Sequence, residues 1–393
     1  MAAAGGRGAS LHIPSLDGIR ACAVMLVFVA HAGLKGRVPG EFGVTVFFFL
    51  SGYLITTLLR VEHEQNGGIS FRAFYLRRVL RIFPPFYLAL AAATVLWLVG
   101  ALGTVGTERP TFRLDGLLAQ FFFLTNYYIV QFGWWTGHAQ GTWIFWSLAV
   151  EEHFYLAFPL VYLALLRFLP DRRRQALVLA GLCALVLAWR LVLVLALDAT
   201  RDRTYVATDT RIDSILFGCI LAVFANPVLD RSRVSDNALK YVLAPLAMVG
   251  LLVSFVVRNS MFQETMAYTL QGICLFPLFT AAIRFAGWGP FRALNLRVVS
   301  FVGVLSYSIY LIHPTVLWAV SNRLPGRGAV AAAVQGVIGL ALTLAIAYGI
   351  YRLVERPAAR LRRRLQRALL PSRPAAAPAA TVPPAAEVAV AGR

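Results

Sequence analysis

The stretch Leu114-Asp-Gly-Leu-Leu-Ala-Gln-Phe-Phe-Phe-Leu-Thr-Asn-Tyr-Tyr-Ile-Val130 decides how this chain is laid out. It is apolar enough to compete as a membrane-crossing helix, and its length is at the lower limit for one. Yet it carries Asp115, Gln120, Asn126 and the paired Tyr127 and Tyr128. Ten other apolar runs read as spans, beginning near Leu16, Phe42, Ile82, Trp143, Gln175, Ile212, Tyr241, Met266, Val298 and Ala329. The sixth, from about Ile212 to Ala225, is short enough to be tilted or broken. If 114–130 does not cross, 25 Lys and Arg fall on the cytoplasmic side and nine on the other, with Arg20, Arg190 and Arg211 inside spans. If it crosses, every later loop changes side and the count becomes 11 inside against 23 outside. The positive-inside rule selects the first arrangement. The expected fold is an all-α, polytopic transmembrane bundle of about ten spans, both termini cytoplasmic, with 114–130 interfacial or re-entrant.

Composition agrees. The chain has 393 residues, 59% apolar and 14% charged, where a soluble domain has about half and about a quarter. Its mean hydropathy is +0.69. A soluble enzyme, a disordered regulator and a disulfide scaffold are excluded. The net charge of +19 points to topology and not to nucleic acid, because the bases sit between apolar runs instead of clustering with aromatics on a soluble face. Only Lys35 and Lys240 are lysines, which reflects a GC-rich genome. Cys22, Cys183, Cys219 and Cys274 lie singly in apolar runs, without the pairing of a disulfide framework or metal site. Ala30-His-Ala32 has the small-residue pattern of a signal-peptide cleavage site. Asp17 and Arg20 interrupt the run before it and a second span follows at once, so a signal anchor is the better reading. Residues 1–13 read as a cytoplasmic tail and 358–393 as a basic, then Pro/Ala-rich disordered tail. No repeat is visible, and no room remains for a soluble catalytic domain.

A charge at mid-bilayer costs about 2.5–3.5 kcal/mol, so ionisable residues inside spans are functional candidates. They are Arg20 and His31 on the first span, Glu151, Glu152 and His153 on the fourth, Arg190 on the fifth, Arg211 and Asp213 at the sixth, and His313 on the ninth. With alternating span directions, His31, Glu151, Glu152 and His313 fall at one level toward the outer leaflet. Two histidines and two carboxylates make an acid/base constellation, in which a carboxylate orients the histidine that takes a proton from a hydroxyl. Structural ion pairing is the alternative for each of them.

A second cluster lies at the cytoplasmic end. Phe74-Tyr-Leu-Arg77-Arg78-Val-Leu-Arg81-Ile-Phe-Pro84 places Arg77 and Arg81 one turn apart with Arg78 beside them. Such a guanidinium fork suits a phosphorylated cytosolic ligand; plain positive-inside anchoring is the competing reading. His12 and Asp17 match an HxxxxD pattern of glycerolipid acyltransferases, a spacing that chance also supplies. No Walker loop, HExxH or GxSxG is present.

Taken together, these residues resemble the acyltransferase 3 family of integral membrane O-acyltransferases, from about Ile13 to Pro357, so that 14–357 reads as the membrane domain. Six strings carry the resemblance: Leu16-Asp-Gly-Ile-Arg20 with His31; Gly43-Val-Thr-Val-Phe-Phe-Phe-Leu-Ser51-Gly-Tyr-Leu-Ile55; the Arg77/Arg78/Arg81/Pro84 run; Trp146-Ser147-Leu-Ala-Val-Glu151-Glu152-His153-Phe-Tyr155; Arg211-Ile-Asp213-Ser-Ile-Leu-Phe-Gly218; and Ser306-Tyr-Ser-Ile-Tyr310-Leu-Ile-His313.

The resemblance implies transfer of an acyl group, usually acetyl, from cytosolic acyl-CoA to a carbohydrate hydroxyl, in the cell membrane and without a metal. It makes His31 the catalytic histidine, and the acid/base layer read above supplies Glu151 or Glu152 to orient it. Arg20 becomes its motif partner, and Arg77, Arg78 and Arg81 the acyl-CoA site. Ser147, Tyr155, Arg211, Asp213 and His313 are expected in support. His153 stands where relatives commonly have Gln. The expected acceptor is a surface glycan, a glycolipid or a glycosylated natural product such as a macrolide; the fused periplasmic hydrolase-like domain of some relatives is not seen, which weakens the surface-glycan reading and leaves room for the other two. A proton-coupled exporter of a glycan or antibiotic is the alternative from another class, although no pseudo-symmetric halves are visible. A non-catalytic scaffold would leave the buried charges unexplained.

Overall fold

The computed structural model describes residues 13–34, 36–102, 113–324, 326 and 328–369. His12 of the HxxxxD pattern and the tail 371–393 lie outside them. Among the described residues the chain forms helices and turns and no strand, and nine helices are long and apolar enough to cross a membrane.

The chain begins with α1 (Leu16–Val29), which ends in a π-helical turn, Ala30–Leu34. Next come α2 (Gly40–Asn66) and α3 (Phe71–Leu98). Gly67, at φ 72°, closes α2, and the Ser70 hydroxyl caps α3 by accepting from the Ala73 amide. The deciding stretch folds as two eight-residue helices, α4 (Leu114–Phe121) and α5 (Thr125–Phe132), broken where Phe123 takes φ 57°. Each is about 12 Å long, too short to cross. Of its polar side chains Gln120, Asn126 and Tyr128 are buried, while Asp115 and Tyr127 stay exposed. Gln120 donates to Thr142 Oγ1 at 2.7 Å and Asn126 donates to Thr208 Oγ1 at 2.9 Å, while Tyr128 donates to Asp115 at 3.1 Å.

A short 3-10 turn leads into α6 (Phe145–Phe168), and α7 (Arg172–Leu195) follows, capped by Asp171. The sixth run departs from a full span. After α8 (Arg201–Val206), an extended residue at Ala207 starts α9 (Thr208–Phe224), which has 17 residues and is about 25 Å long. Nearly every residue of α9 from Thr210 to Val223 is buried, because α2, α7 and α13 surround it. A helix solvated by protein needs no full lipid-crossing length. Gly218 lets it reach α2: a Cβ there would stand 1.9 Å from the Phe49 carbonyl oxygen.

The second half comprises α10 (Asp236–Ala238), which runs through a π turn into α11 (Ala244–Val256), then α12 (Ser260–Glu264) and α13 (Met266–Arg284). Beyond these lie α14 (Phe291–Leu294), α15 (Arg297–Arg323) and α16 (Ala329–Ile350). From α16 the chain continues through a π turn, Tyr351–Glu355, into α17 (Arg356–Leu369), so the basic stretch after Pro357 is helical and packs on α3. Helices α1 and α15 meet backbone to backbone, since a Cβ on Gly303 would stand 1.8 Å from the Asp17 carbonyl oxygen. From that crossing the two helices rise side by side. His31 and His313 arrive at the same place.

Candidate active site

His31 sits in the π turn that ends α1, an irregularity that displaces side chains from the regular helical face. Its Nδ1 lies 2.8 Å from Nε2 of His313, and the rings stack at 5.1 Å with 17° between planes. His313 is wholly buried on α15, and its Nδ1 is 2.9 Å from the Tyr310 carbonyl oxygen and 3.1 Å from that of Ile309. Carbonyls only accept, so Nδ1 of His313 carries a hydrogen and its Nε2 is an acceptor in the neutral ring. His31 Nδ1 therefore donates to it. The basic lone pair of His31 is thereby assigned to Nε2. Trp143 presents an edge contact to the His31 ring at 5.0 Å.

The two glutamates do not join this pair. Ser147, Glu151 and Tyr155 recur every four residues, so they share one face of α6. Glu151 accepts from Ser51 at 3.0 Å and from Tyr155 at 2.8 Å, and the two hydroxyls are 3.1 Å apart. This triangle lines a cavity of about 300 Å3, together with Arg20, Arg78 and Arg81 at one end and Ser147 and Tyr310 at the other. Glu152, about 100° further round the helix, is outside the cavity lining, and its Oε1 is buried with no partner in the protein.

Tyr310 joins the cavity to the histidines. Its hydroxyl lies 2.7 Å from Ser147 Oγ, its ring is 5.8 Å from that of His313, and its carbonyl holds His313 Nδ1. The expected single layer of two histidines and two carboxylates is thus two stations. Among the described residues His313, and neither Glu151 nor Glu152, is seen orienting His31, because α15 crosses α1 while α6 faces α2.

The arginines also separate. Arg78 and Arg81, three residues apart, line the cavity. Arg77 points the other way and pairs with Glu62 at 2.6 Å. The expected Arg77/Arg81 fork is replaced by Arg78, Arg81 and Arg20. Arg20 forms an ion pair with Asp17 at 2.8 Å in the cavity, and no contact with His31 is seen. Arg78 packs over the Tyr155 ring at 5.6 Å, and its buried Nε has no partner in the protein. Arg81 is exposed and has no ion pair among the described residues. Two cationic groups with donors to spare are what a phosphate-bearing ligand needs.

Arg211 and Asp213 brace α9. Asp213 pairs with Arg190 at 2.7 Å, both fully buried, and Arg190 also donates to the Thr210 carbonyl and to Thr269. Arg211 lies 3.8 Å from the Tyr268 ring centre and donates to Thr45 at 3.1 Å. His153 meets Thr208 Oγ1 at 2.7 Å and so ties α6 to the start of α9, with the Tyr127 ring of α5 stacked on it at 6.1 Å. Ser51 and Tyr310 are the site residues that motif reading left unassigned. Both stand in quoted strings, at spacings that only the helix crossings make meaningful.

A family model for an acyltransferase domain matches residues 13–352. The chain is 30% identical over 367 residues to the O-acetyltransferase OatA of Staphylococcus aureus, covering 88% of this chain and 57% of that protein. It is 29% identical over 311 residues to the peptidoglycan O-acetyltransferase OatA of Listeria monocytogenes, covering 77% and 49% respectively. The chain spans about half the length of these curated relatives. No solved structure matches it. By the extent of the family match and the residues gathered here, this chain is a multi-pass membrane protein of the acyltransferase 3 family.

Proposed function

We propose that the chain transfers an acetyl group from acetyl-CoA to a hydroxyl of a carbohydrate-containing acceptor. The observation that carries this reading is the joining of the two stations. An arginine-lined cavity ends at Tyr310, and Tyr310 holds the histidine that orients His31.

In this account Arg78, Arg81 and Arg20 hold the anionic end of the donor, and Ser51, Glu151 and Tyr155 line the passage for its thin arm. His31 Nε2 takes the proton of the acceptor hydroxyl as the oxygen attacks the thioester carbonyl. The carbon–sulfur bond breaks, and the same proton returns from His31 to the leaving thiolate. His313 keeps His31 in the required tautomer and shares the transient positive charge. The arginine end faces the cytoplasm, where acyl-CoA is made, and the histidine end faces outward in the cell membrane. The positive-inside count supports this orientation, and the O-acetyltransferase names of the relatives support the transfer.

The test is transfer of label from radiolabelled acetyl-CoA by purified protein to saccharide, as an alkali-labile ester. Saccharide that stays unlabelled, while the protein binds acetyl-CoA, contradicts the reading.

A further inference from the structure

The histidine end of the bundle carries a group of aromatic rings. The loop between α5 and α6 supplies Trp134, Trp135 and Trp143, α15 supplies Trp318, and α8 supplies Tyr205. Their centroids lie 5.9 Å apart for Trp134–Trp143, 6.1 Å for Trp135–Trp143, 6.4 Å for Trp135–Trp318 and 6.1 Å for Trp134–Tyr205. The group reaches the histidines through Trp143, which touches His31.

An interfacial aromatic belt is the bland explanation for tryptophan at this depth. Belt residues lie around the lipid perimeter. These rings come from three separate segments, contact one another, and close on His31. The support is rigid. Trp318 Nε1 donates to the Leu102 carbonyl at 2.9 Å, and Thr315, two residues past His313, donates to the Gln140 carbonyl at 3.0 Å. Gly141, at φ 88°, lets the loop press on α15, since a Cβ there would stand 2.3 Å from the Thr315 nitrogen. In this same loop the side-chain amide of Gln140 is buried at 3% exposure, and neither its oxygen nor its nitrogen has a partner in the protein. Buried amides are normally satisfied, so this one is available to a polar ligand.

We infer that Trp134, Trp135, Trp143 and Trp318 form an acceptor subsite for a carbohydrate, whose sugar ring stacks on the indoles and presents its hydroxyl to His31. A sugar ring has an apolar C–H face and a polar rim, which matches aromatic surfaces on a loop that also holds an unsatisfied amide. This inference rests on the proposed acyl transfer to a sugar.

Trp135 is the residue to test, because at 57% exposure it contributes least to packing. The purified full chain is given radiolabelled acetyl-CoA and increasing amounts of the carbohydrate fraction of the producing cells. Trp135→Ala is expected to raise the half-saturating saccharide concentration about tenfold, the loss of an aromatic anchor, with maximal rate and acetyl-CoA affinity kept. Trp135→Phe is expected to recover most of that loss. Unchanged half-saturation in both Trp135→Ala and Trp318→Ala overturns the subsite. A wild-type protein that labels no saccharide overturns the transfer reading itself, a result distinguishable because all the tryptophans are then intact.

Discussion

His31 Nδ1 donates to His313 Nε2 across 2.8 Å, and His313 is in turn held by the carbonyl oxygens of Tyr310 and Ile309. A base is useful only with its lone pair in the right direction, and this relay sets that direction from the backbone of α15. His313→Gln retains bulk but breaks the relay. It should lower the maximal transfer rate about 10–100-fold, with little change in donor affinity. Equal rates in the variant and wild type, in a labelled acetyl-CoA assay, would remove His313 from the mechanism.

The arginines give a contrast. Arg78→Gln with Arg81→Gln should weaken acetyl-CoA binding by more than about tenfold, since charge-assisted hydrogen bonds contribute about 1.5–3 kcal/mol each. Arg77→Gln should leave binding nearly unchanged and lower thermal stability instead, because Glu62 then loses its partner at 2.6 Å. Calorimetric titration of the purified variants checks both. A large binding loss in Arg77→Gln would restore the fork read from the sequence.

That reversal marks how far sequence reasoning reached. Bundle class, most spans and the non-crossing nature of 114–130 were legible, because apolar length and arginine placement are one-dimensional signals. Residue types at the site were legible too: His31, Glu151, Arg78 and Arg81 all occur in the quoted strings. Pairing was not. Whether Glu151 or His313 meets His31 depends on which helices cross, and that is set by backbone approaches such as Gly303 on Asp17. The ninth-span histidine looked no more special than any buried imidazole. The shortness of α9 was legible but its reason was not, since only the packing shows a helix surrounded by protein, which need not match the bilayer.

The buried Arg190–Asp213 pair should be costly to break from one side. Asp213→Asn leaves a buried guanidinium under-compensated and should destabilise the protein by about 3–5 kcal/mol. Replacing both residues with Leu should recover a large part of that. Thermal unfolding in detergent reads both, and a neutral Asp213→Asn would show that the pair is not what braces α9.

Outside the spans, burial pushes the His138 imidazole down to about 4, opposed weakly by the Thr136 backbone and by Asp115. The Tyr128 ring also packs against it, at 5.0 Å. The folded state therefore binds fewer protons than the unfolded chain between about pH 6.5 and 4, and stability falls as pH falls through that window. The loss should be about 2 kcal/mol between about pH 7.5 and pH 5. His138→Gln should flatten this dependence in the same thermal assay; an unchanged slope would place the acid sensitivity elsewhere.

The central claim is that His31 is the base, and His31→Gln tests it most directly because the substitution keeps polar bulk in the π turn. Purified variant and wild type, reconstituted at equal levels, are compared for label transferred from acetyl-CoA to saccharide and for acetyl-CoA affinity. The account predicts a rate loss of about 10²–10⁴ with donor affinity preserved, since His31 lies beyond Tyr310 from the arginines. Transfer at the wild-type rate by His31→Gln would contradict it and leave the histidine pair a structural contact between α1 and α15.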